Sequence, residues 1–501
     1  DPSDCNNIAI KLASANGHLE VVNILLADPR VDPSDCNNIA IAVASENGHL
    51  EVVKILLADS RVDPSADKNY SIEAASENGH LEVVKILLAD PRVDPSADKS
   101  YSIGAASRRS HVEVVKILLA DPRVDPSADK NYSIGAASRR GHVEVVKILL
   151  ADPRVDPSDS NNTAFELASE YGQVEVVNIL LADSRVDPSA NKNFSIRTAT
   201  EEGHSEVVKI LLEDPRVDPC AKRNEAIRRA SFIGHEEIVR LLLADSRVDP
   251  TAKTNQAIRR AALCGNKEVI KLLLKDPRVD PGAKKNDAIR KACQIGYEDV
   301  LKLLLEDPRV DPCAKRNQAI RRASKNGHEE IVQILLQDAR VDPAAKKNYA
   351  IRSAAGNGHT EIVKLLLEDP RVDPGAKRNQ AIRRASKNGH EEIVQILLND
   401  SRVDPINPGA KENYAIRDAA IKGHTEIVKM LLADSRVDPA ANDNETIVNA
   451  ADYGHLEILK MLLADPRVDP GASENNALRL ACKEGHIEVV RMLLADARVD
   501  P

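Results

Sequence analysis

The chain has no tryptophan, and its 501 residues include only three phenylalanines, eight tyrosines and three methionines. Any core must therefore be aliphatic, assembled from many Ile, Leu, Val and Ala side chains rather than a few large rings. Long apolar runs are missing as well. None approaches the roughly 20 residues a helix needs to cross a bilayer, so no membrane insertion is expected. No signal peptide is visible at the N-terminus. The seven cysteines are Cys5, Cys36, Cys220, Cys264, Cys293, Cys313 and Cys482, and none forms a Cys-x-x-Cys pair. Cys5 and Cys36 hold equivalent places in successive segments. Stacked helices lie roughly 8–10 Å apart, beyond the Cα separation of about 7 Å that a disulfide spans. Free thiols in a reducing, cytoplasmic compartment are the expectation. Also missing are a Gly-rich phosphate loop, a GxSxG elbow, an HExxH pair and any nucleophile–base set. The chain accordingly reads as no enzyme, with no catalytic residue, cofactor or metal site assigned.

Repetition takes their place. Asp-Pro opens a 31-residue repeat at Asp1, Asp32, Asp63 and onward to Asp373. The fourteenth repeat, 404–437, is three residues longer through Ile406-Asn407-Pro408, and the register resumes at Asp438 and Asp469. Sixteen repeats fill 1–499, and Asp500-Pro501 would open another. Both ends fall on repeat boundaries, so a segment of a longer array or a processed chain is expected. A fixed period of this length marks a solenoid whose core grows along one axis. We therefore read 1–501 as a single array, although its length would otherwise suggest several globular domains.

Residues 311–341 illustrate one repeat. Asn317 precedes an apolar pattern of Ala319, Ile320 and Ala323 at helical spacing, and Asn is a strong N-cap. Gly327 then ends the helix where a left-handed residue is wanted. This glycine recurs in every repeat but the fourth, which has Ser110. Small residues on this first helix should let the next repeat approach closely. A second helix starts near His328, with Glu330 in its first turn, favourable to the helix dipole. Ile331, Val332, Ile334, Leu335 and Leu336 are apolar on more than one side, so this helix should be buried between neighbours. Asp338 ends it, usually followed by Pro. The linker DxRVDPxAxxN reads as a compact turn, at most one turn of 3₁₀ helix, because Asp-Pro is a turn signal and no strand-like alternation is present.

Two polar sets recur. All thirteen histidines, from His18 to His486, hold one repeat place. One per repeat cannot converge on a metal ion, so they read as helix-start residues. Arg30 and its equivalents stand between two aspartates (Asp28, Asp32) in every repeat. Such an Asp-x-Arg-x-Asp can form a ladder of charge-assisted bonds between repeats.

The block A-x-x-x-G-H-x-E-[IV]-V-K-[IL]-L-L, seen at Ala75–Leu88 and Ala137–Leu150, recurs with small changes throughout. It resembles the ankyrin-repeat family. The DPRVDPSA loop resembles arrays of large DNA viruses of protists, or of protist genomes. The resemblance implies an all-α, ankyrin-like helical-repeat solenoid: a curved stack of helix-turn-helix units on the order of 130–160 Å long at roughly 8–10 Å per repeat. It also implies non-catalytic binding of proteins through a concave face built from first helices and inter-repeat loops. This chain departs from the family in its two-residue-shorter repeat, the loss falling in the loop. It also has Tyr349-Ala350-Ile351-Arg352 and equivalents where the family has Thr-Pro-Leu-His.

Charge is uneven along the array. Lys plus Arg minus Asp plus Glu sums to −13 over 1–217, +10 over 218–437 and −6 over 438–501. The basic segment carries Lys222, Arg223, Lys284, Lys285, Lys315, Arg316, Lys346, Lys347, Lys377 and Arg378 on its loops. Its first helices carry Arg228, Arg229, Arg259, Arg260, Arg290, Lys291, Arg321, Arg322, Arg352, Arg383 and Arg384. These are the candidate partner-binding residues, read as an exposed basic stripe for proteins with acidic surfaces. A merely solvated face is the plain alternative. Nucleic acid is disfavoured, because aromatics for base stacking are few and the whole chain is acidic at −9. Two other functions stay open. The array could be a structural filament or elastic spacer that self-associates end to end. It carries Ile8, Ile10 and Leu12 on its first helix and Ile487, Val489, Val490, Met492, Leu493 and Leu494 on its last, where solenoids usually have polar caps. It could also be the recognition arm of a degradation adaptor.

Overall fold

The computed structural model describes residues 4–403 and 413–500. The insertion Ile406-Asn407-Pro408 and the side chain of Cys5 lie outside the described residues. Among the described residues there are thirty-two helices, two per repeat, joined by turns, and no strand. The chain divides into two compact bodies between Ala252 and Lys253. The fold is the expected all-α repeat array, and its inter-repeat connections are short turns.

Within a repeat, the small first helix and the apolar second helix pack as an antiparallel pair, and first helices of successive repeats pack together. In 311–341 the first helix spans Ala314–Asn326 and the second Glu329–Gln337. Ala319, Ile320 and Ala323 of the first, and Ile331, Val332 and Leu335 of the second, are at most 1% exposed. Ile334 and Leu336 are half-buried, so the second helix is covered on one side and partly open on the other. Burying each such Ile, Leu or Val contributes roughly 1.5–3 kcal/mol. Alanine at the facing positions costs little contact area and brings the backbones together.

Gly327 has φ +85° and ends the first helix in the left-handed conformation expected of it. The N–H of His328 reaches back to the Ala323 carbonyl at 3.1 Å, satisfying an end-of-helix acceptor. Ser110 holds the same conformation at φ +66°, where a non-Gly residue carries a steric cost. Glu329 and Glu330 occupy the first turn of the second helix, and Asp338 caps its end in an extended conformation.

The expectation for Asn317 was wrong in mechanism. It makes no side-chain cap on its own helix. It sits buried at φ +54°, and its Oδ1 accepts the Asp342 N–H of the following repeat at 2.9 Å. Lys315, Arg316 and Asn317 are all left-handed, at φ +53°, +59° and +54°. L-residues visit this region as isolated single residues, yet the triplet recurs along the array, as at Asp67-Lys68-Asn69 and Lys284-Lys285-Asn286. Propensity favours Asn there, but it gives no reason for the two residues before it. Tertiary bonds hold them in place.

Candidate interaction surface

Two sets of side chains stitch neighbouring repeats, and both are structural. Arg123 forks onto Asp121, with Nε to Oδ1 at 3.0 Å and Nη2 to Oδ2 at 2.7 Å. The same guanidinium donates to the Val93 carbonyl at 3.0 Å and the Leu88 carbonyl at 2.8 Å, both in the preceding repeat. Arg61, Arg92 and Arg154 do the same. A ladder between repeats therefore exists, but the ion pair is internal to each repeat and the rungs end on carbonyls. The second aspartate of the motif acts within its own turn, where Asp125 accepts the N–H of Ser127 at 2.9 Å and shapes the chain there. The Arg123 hydrogen bond holds the Asp121 carboxyl below the usual carboxylate range.

The histidines stand at the start of thirteen second helices, as expected, and from His49 onward they reach across. His49 Nε2 lies 3.0 Å from the Ala15 carbonyl, and His111 Nε2 lies 2.8 Å from that of Glu77. Each ring thus closes an open carbonyl at the end of the preceding first helix. Among the described residues no group of three His, Cys, Asp or Glu is placed to hold a metal ion.

The predicted basic residues separate into two classes. The loop residues Lys222, Arg223, Lys284, Lys285, Lys315, Arg316, Lys346, Lys347, Lys377 and Arg378 are all exposed, on the left-handed turns. The first-helix arginines are not, which corrects their assignment as solvent-facing. Arg228, Arg290 and Arg352 are 4%, 3% and 4% exposed. Arg229, Arg259, Arg260, Lys291, Arg321, Arg322, Arg383 and Arg384 are half-buried. Sequence reasoning treated an Arg-Arg pair on a helix as surface. It missed that the first arginine is level with the turn below it.

That arginine clamps the strained turn. Arg352 donates from Nε to the Lys347 carbonyl at 2.8 Å and from Nη2 to the Lys346 carbonyl at 3.0 Å. Arg321 makes the same pair of bonds to Arg316 and Lys315, and Arg290 to Lys285 and Lys284. The free edge of the guanidinium meets the next repeat: Arg290 Nη1 donates to Gln318 Oε1 at 2.8 Å, and Arg259 pairs with Asp287 at 3.1 Å. Burial lowers the pKa of Arg290, Arg321 and Arg352, while their acceptors keep the charge solvated by protein. The guanidinium groups of Arg321 and Arg352 also lie 5.5 and 5.7 Å from the Tyr349 ring, within cation–π range.

The left-handed turns differ in charge along the array. In the third to fifth repeats the triplet reads Asp-Lys-Asn or Asp-Lys-Ser, and its charges pair between repeats: Lys68 with Asp98 at 3.2 Å, Lys99 with Asp129 at 2.9 Å. Beyond Lys253, Lys284, Lys315, Lys346 and Lys377 take the aspartate place. Lys285, Arg316, Lys347 and Arg378 take the lysine place. The pairing acid is gone, and each turn presents two exposed cations next to two more.

At the two ends of the chain some predicted apolar residues are open. Ile8 and Leu12 are 47% and 53% exposed and Ile487 and Leu494 65% and 50%, whereas Ile10, Val489 and Leu493 are buried. No helix among the described residues is long and apolar enough to cross a membrane.

Paired helices stacked repeat upon repeat, stitched by side chains bonded to the neighbour's carbonyls, define a helical-repeat protein. The family description "Ankyrin repeats (3 copies)" matches residues 10–99, 103–193, 258–347, 322–409 and 416–501, most of the chain. The chain belongs to the ankyrin-repeat family. Ankyrin repeats are generally protein–protein interaction modules and typically not enzymes. No curated protein matches the chain significantly.

Proposed function

We propose that this array is a non-catalytic scaffold that binds a protein with an acidic surface along the left-handed turns after Lys253. The observation that carries this is the row Lys284, Lys285, Lys315, Arg316, Lys346, Lys347, Lys377 and Arg378. These residues are exposed, of one sign and repeated every 31 residues, where earlier repeats pair Lys with Asp. Like charges held side by side repel, and a row of carboxylates from a partner relieves that repulsion while steering its approach. The first-helix arginines lie beneath this row and hold its turns in place.

The test is a charge reversal confined to the turns. Lys315, Arg316, Lys346 and Lys347 are replaced together by Glu, and binding of a poly-glutamate peptide is followed by calorimetry. The wild-type chain binds, and its affinity falls steeply with added salt, since exposed charges are screened beyond about 8 Å at physiological ionic strength. The variant loses binding while keeping its helical circular dichroism spectrum and melting temperature. Unchanged affinity in the variant, or indifference to salt, reduces the row to a solvated face. Binding of duplex DNA but not of the peptide moves the reading to nucleic acid.

End-to-end association is a second reading, supported by the exposed Ile8, Leu12, Ile487 and Leu494. Electron microscopy separates it from the first: fibres favour a filament, single particles favour a scaffold.

A further inference from the structure

The arginine clamp is missing from several repeats, which have Lys11, Ala42, Glu73, Glu166 or Val448 at its place, and two successive repeats have only glycine there. At the repeat place of Arg197 and Arg228, the fourth and fifth repeats have Gly104 and Gly135. The two glycines have different surroundings. A Cβ on Gly104 would come within 2.6 Å of the Tyr132 ring, which lies against the bare backbone and fills the gap from the following repeat. A Cβ on Gly135 would meet only Leu167 Cδ1, at 3.7 Å. The residue placed to fill the second gap, equivalent to Tyr132 one repeat on, is Thr163. Its short side chain turns back to the Ser160 carbonyl at 2.8 Å.

The result is a pocket of about 450 Å³ between the fifth and sixth repeats. Tyr132 forms one wall, Gly135 and Ala136 the floor, and Thr163, Ala164 and Leu167 the far side. The volume falls in the range of small-ligand sites. The chain also displays what fits there. Tyr101 and Tyr132 stack one repeat apart, with centroids 6.0 Å apart and planes 18° from parallel. Thr163 interrupts that stack where a third ring would lie over Gly135 and against Tyr132. The lining is mixed in charge, with Arg108, Lys130, Arg139 and Arg140 set among Asp129, Asp156 and Asp159. The Arg139 guanidinium is already set 4.5 Å from the Tyr171 ring.

We propose that this pocket receives an aromatic side chain, of tyrosine or phenylalanine type, from a partner protein, and that the guest ring completes the stack Tyr101–Tyr132. Offset stacking on Tyr132, in the space left by the missing side chain of Gly135, and cation–π approach by a lining arginine are the interactions that select a ring over an aliphatic chain. This site is separate from the basic row after Lys253, and neither proposal depends on the other.

The probe is N-acetyl-3-fluorotyrosinamide, observed by fluorine NMR line broadening with the full chain. Wild type broadens the probe signal, and N-acetyl-phenylalaninamide restores the sharp line by competition. Thr163→Tyr supplies the missing ring from within the chain, so broadening is lost and the melting temperature rises. Gly135→Glu places in the pocket the residue type the chain uses at Glu73 and Glu166, and it too abolishes binding. This gives an independent measure should Thr163→Tyr fail to fold. No broadening by wild type at any probe concentration overturns the proposal, as does full broadening by a folded Thr163→Tyr or Gly135→Glu variant. Displacement of the probe by N-acetyl-leucinamide as readily as by the phenylalanine amide makes the pocket merely apolar and overturns the assignment to a ring.

Discussion

The imidazole of His359 occupies the space that a side chain on Gly327 would need: a Cβ built on Gly327 would approach His359 Cε1 to 2.8 Å. The ring stays there because its Nε2–H donates to the Lys325 carbonyl at 3.0 Å. Glycine is thus required twice at this place, once by φ +85° and once by the histidine of the next repeat. Gly327→Val combines a left-handed penalty of about 1–2 kcal/mol with a steric clash that displaces the ring. Its total cost should exceed that of Lys325→Val, at an exposed position where substitutions usually stay within about 0.5 kcal/mol. Chemical denaturation of the two variants measures this, and equal costs would mean that the boundary between repeats is not built on this contact.

The clamp arginines should govern stability rather than partner choice. Arg352→Ala removes two bonds from a buried guanidinium to the left-handed turn, and a hydrogen bond made by a charged group contributes about 1.5–3 kcal/mol. The expected loss is therefore about 3–6 kcal/mol, against nearly nothing for Lys346→Ala or Lys347→Ala in the same turn. Reversing Arg321, Arg322, Arg383 and Arg384 to Glu would accordingly perturb folding together with any binding. A melting temperature for Arg352→Ala within a degree of wild type would refute the clamp.

Much of this was legible in the sequence because the period itself carries it. Twelve copies of Gly-His and sixteen of an aliphatic second helix make helix ends and core faces readable from one chain. Gly327, Glu330 and Asp338 stand where the pattern placed them. What the pattern could not convey was direction. Asn317 has the chemistry of an N-cap, yet its amide is spent on the next repeat's Asp342, a bond 25 residues away that no local propensity encodes. Arg352 reads as surface because long cations usually are, and its burial follows from the left-handed turn, which the sequence does not announce in Lys346-Lys347. The Gly135 pocket was illegible for a related reason: it is an absence shared between Gly135 and Thr163, visible only when the repeats are stacked.

The Asp–Arg forks predict how the array responds to acid. The carboxyls of Asp90, Asp121, Asp307 and their equivalents are held below their ordinary value, first by the arginine hydrogen bond; Asp28 is lowered to about 2. A depressed folded pKa means a contribution present above the unfolded value, about 3.9, and lost as pH falls through the folded one. Glu73, Glu166 and Asp418 oppose this, since burial raises their pKa and protonation favours the folded state. They are few against a fork in every repeat. The melting temperature should therefore be flat above about pH 4 and fall steeply toward pH 2. A curve that stays flat to pH 2 would show that the forks contribute nothing.

Cysteine reactivity should follow the packing residue by residue. Cys293 and Cys482 hold the same repeat place, yet Cys293 is fully buried and Cys482, on the final first helix Ala472–Glu484, is exposed. Burial pushes the Cys293 thiol far above its ordinary pKa, and the thiolate is the reactive form. Cys313 is intermediate: half-buried beside Asp311, with its Sγ donating to the Arg340 carbonyl, its pKa is raised to about 11. Alkylation by iodoacetamide at neutral pH should modify Cys36 and Cys482 first, Cys313 more slowly, and Cys293 only when denaturant opens its repeat. Peptide mass spectrometry across a denaturant series then reports the stability of the repeats around Cys293 separately from the whole. Modification of Cys293 in the absence of denaturant, at the rate seen for Cys482, would contradict the packing of the tenth repeat against its neighbours.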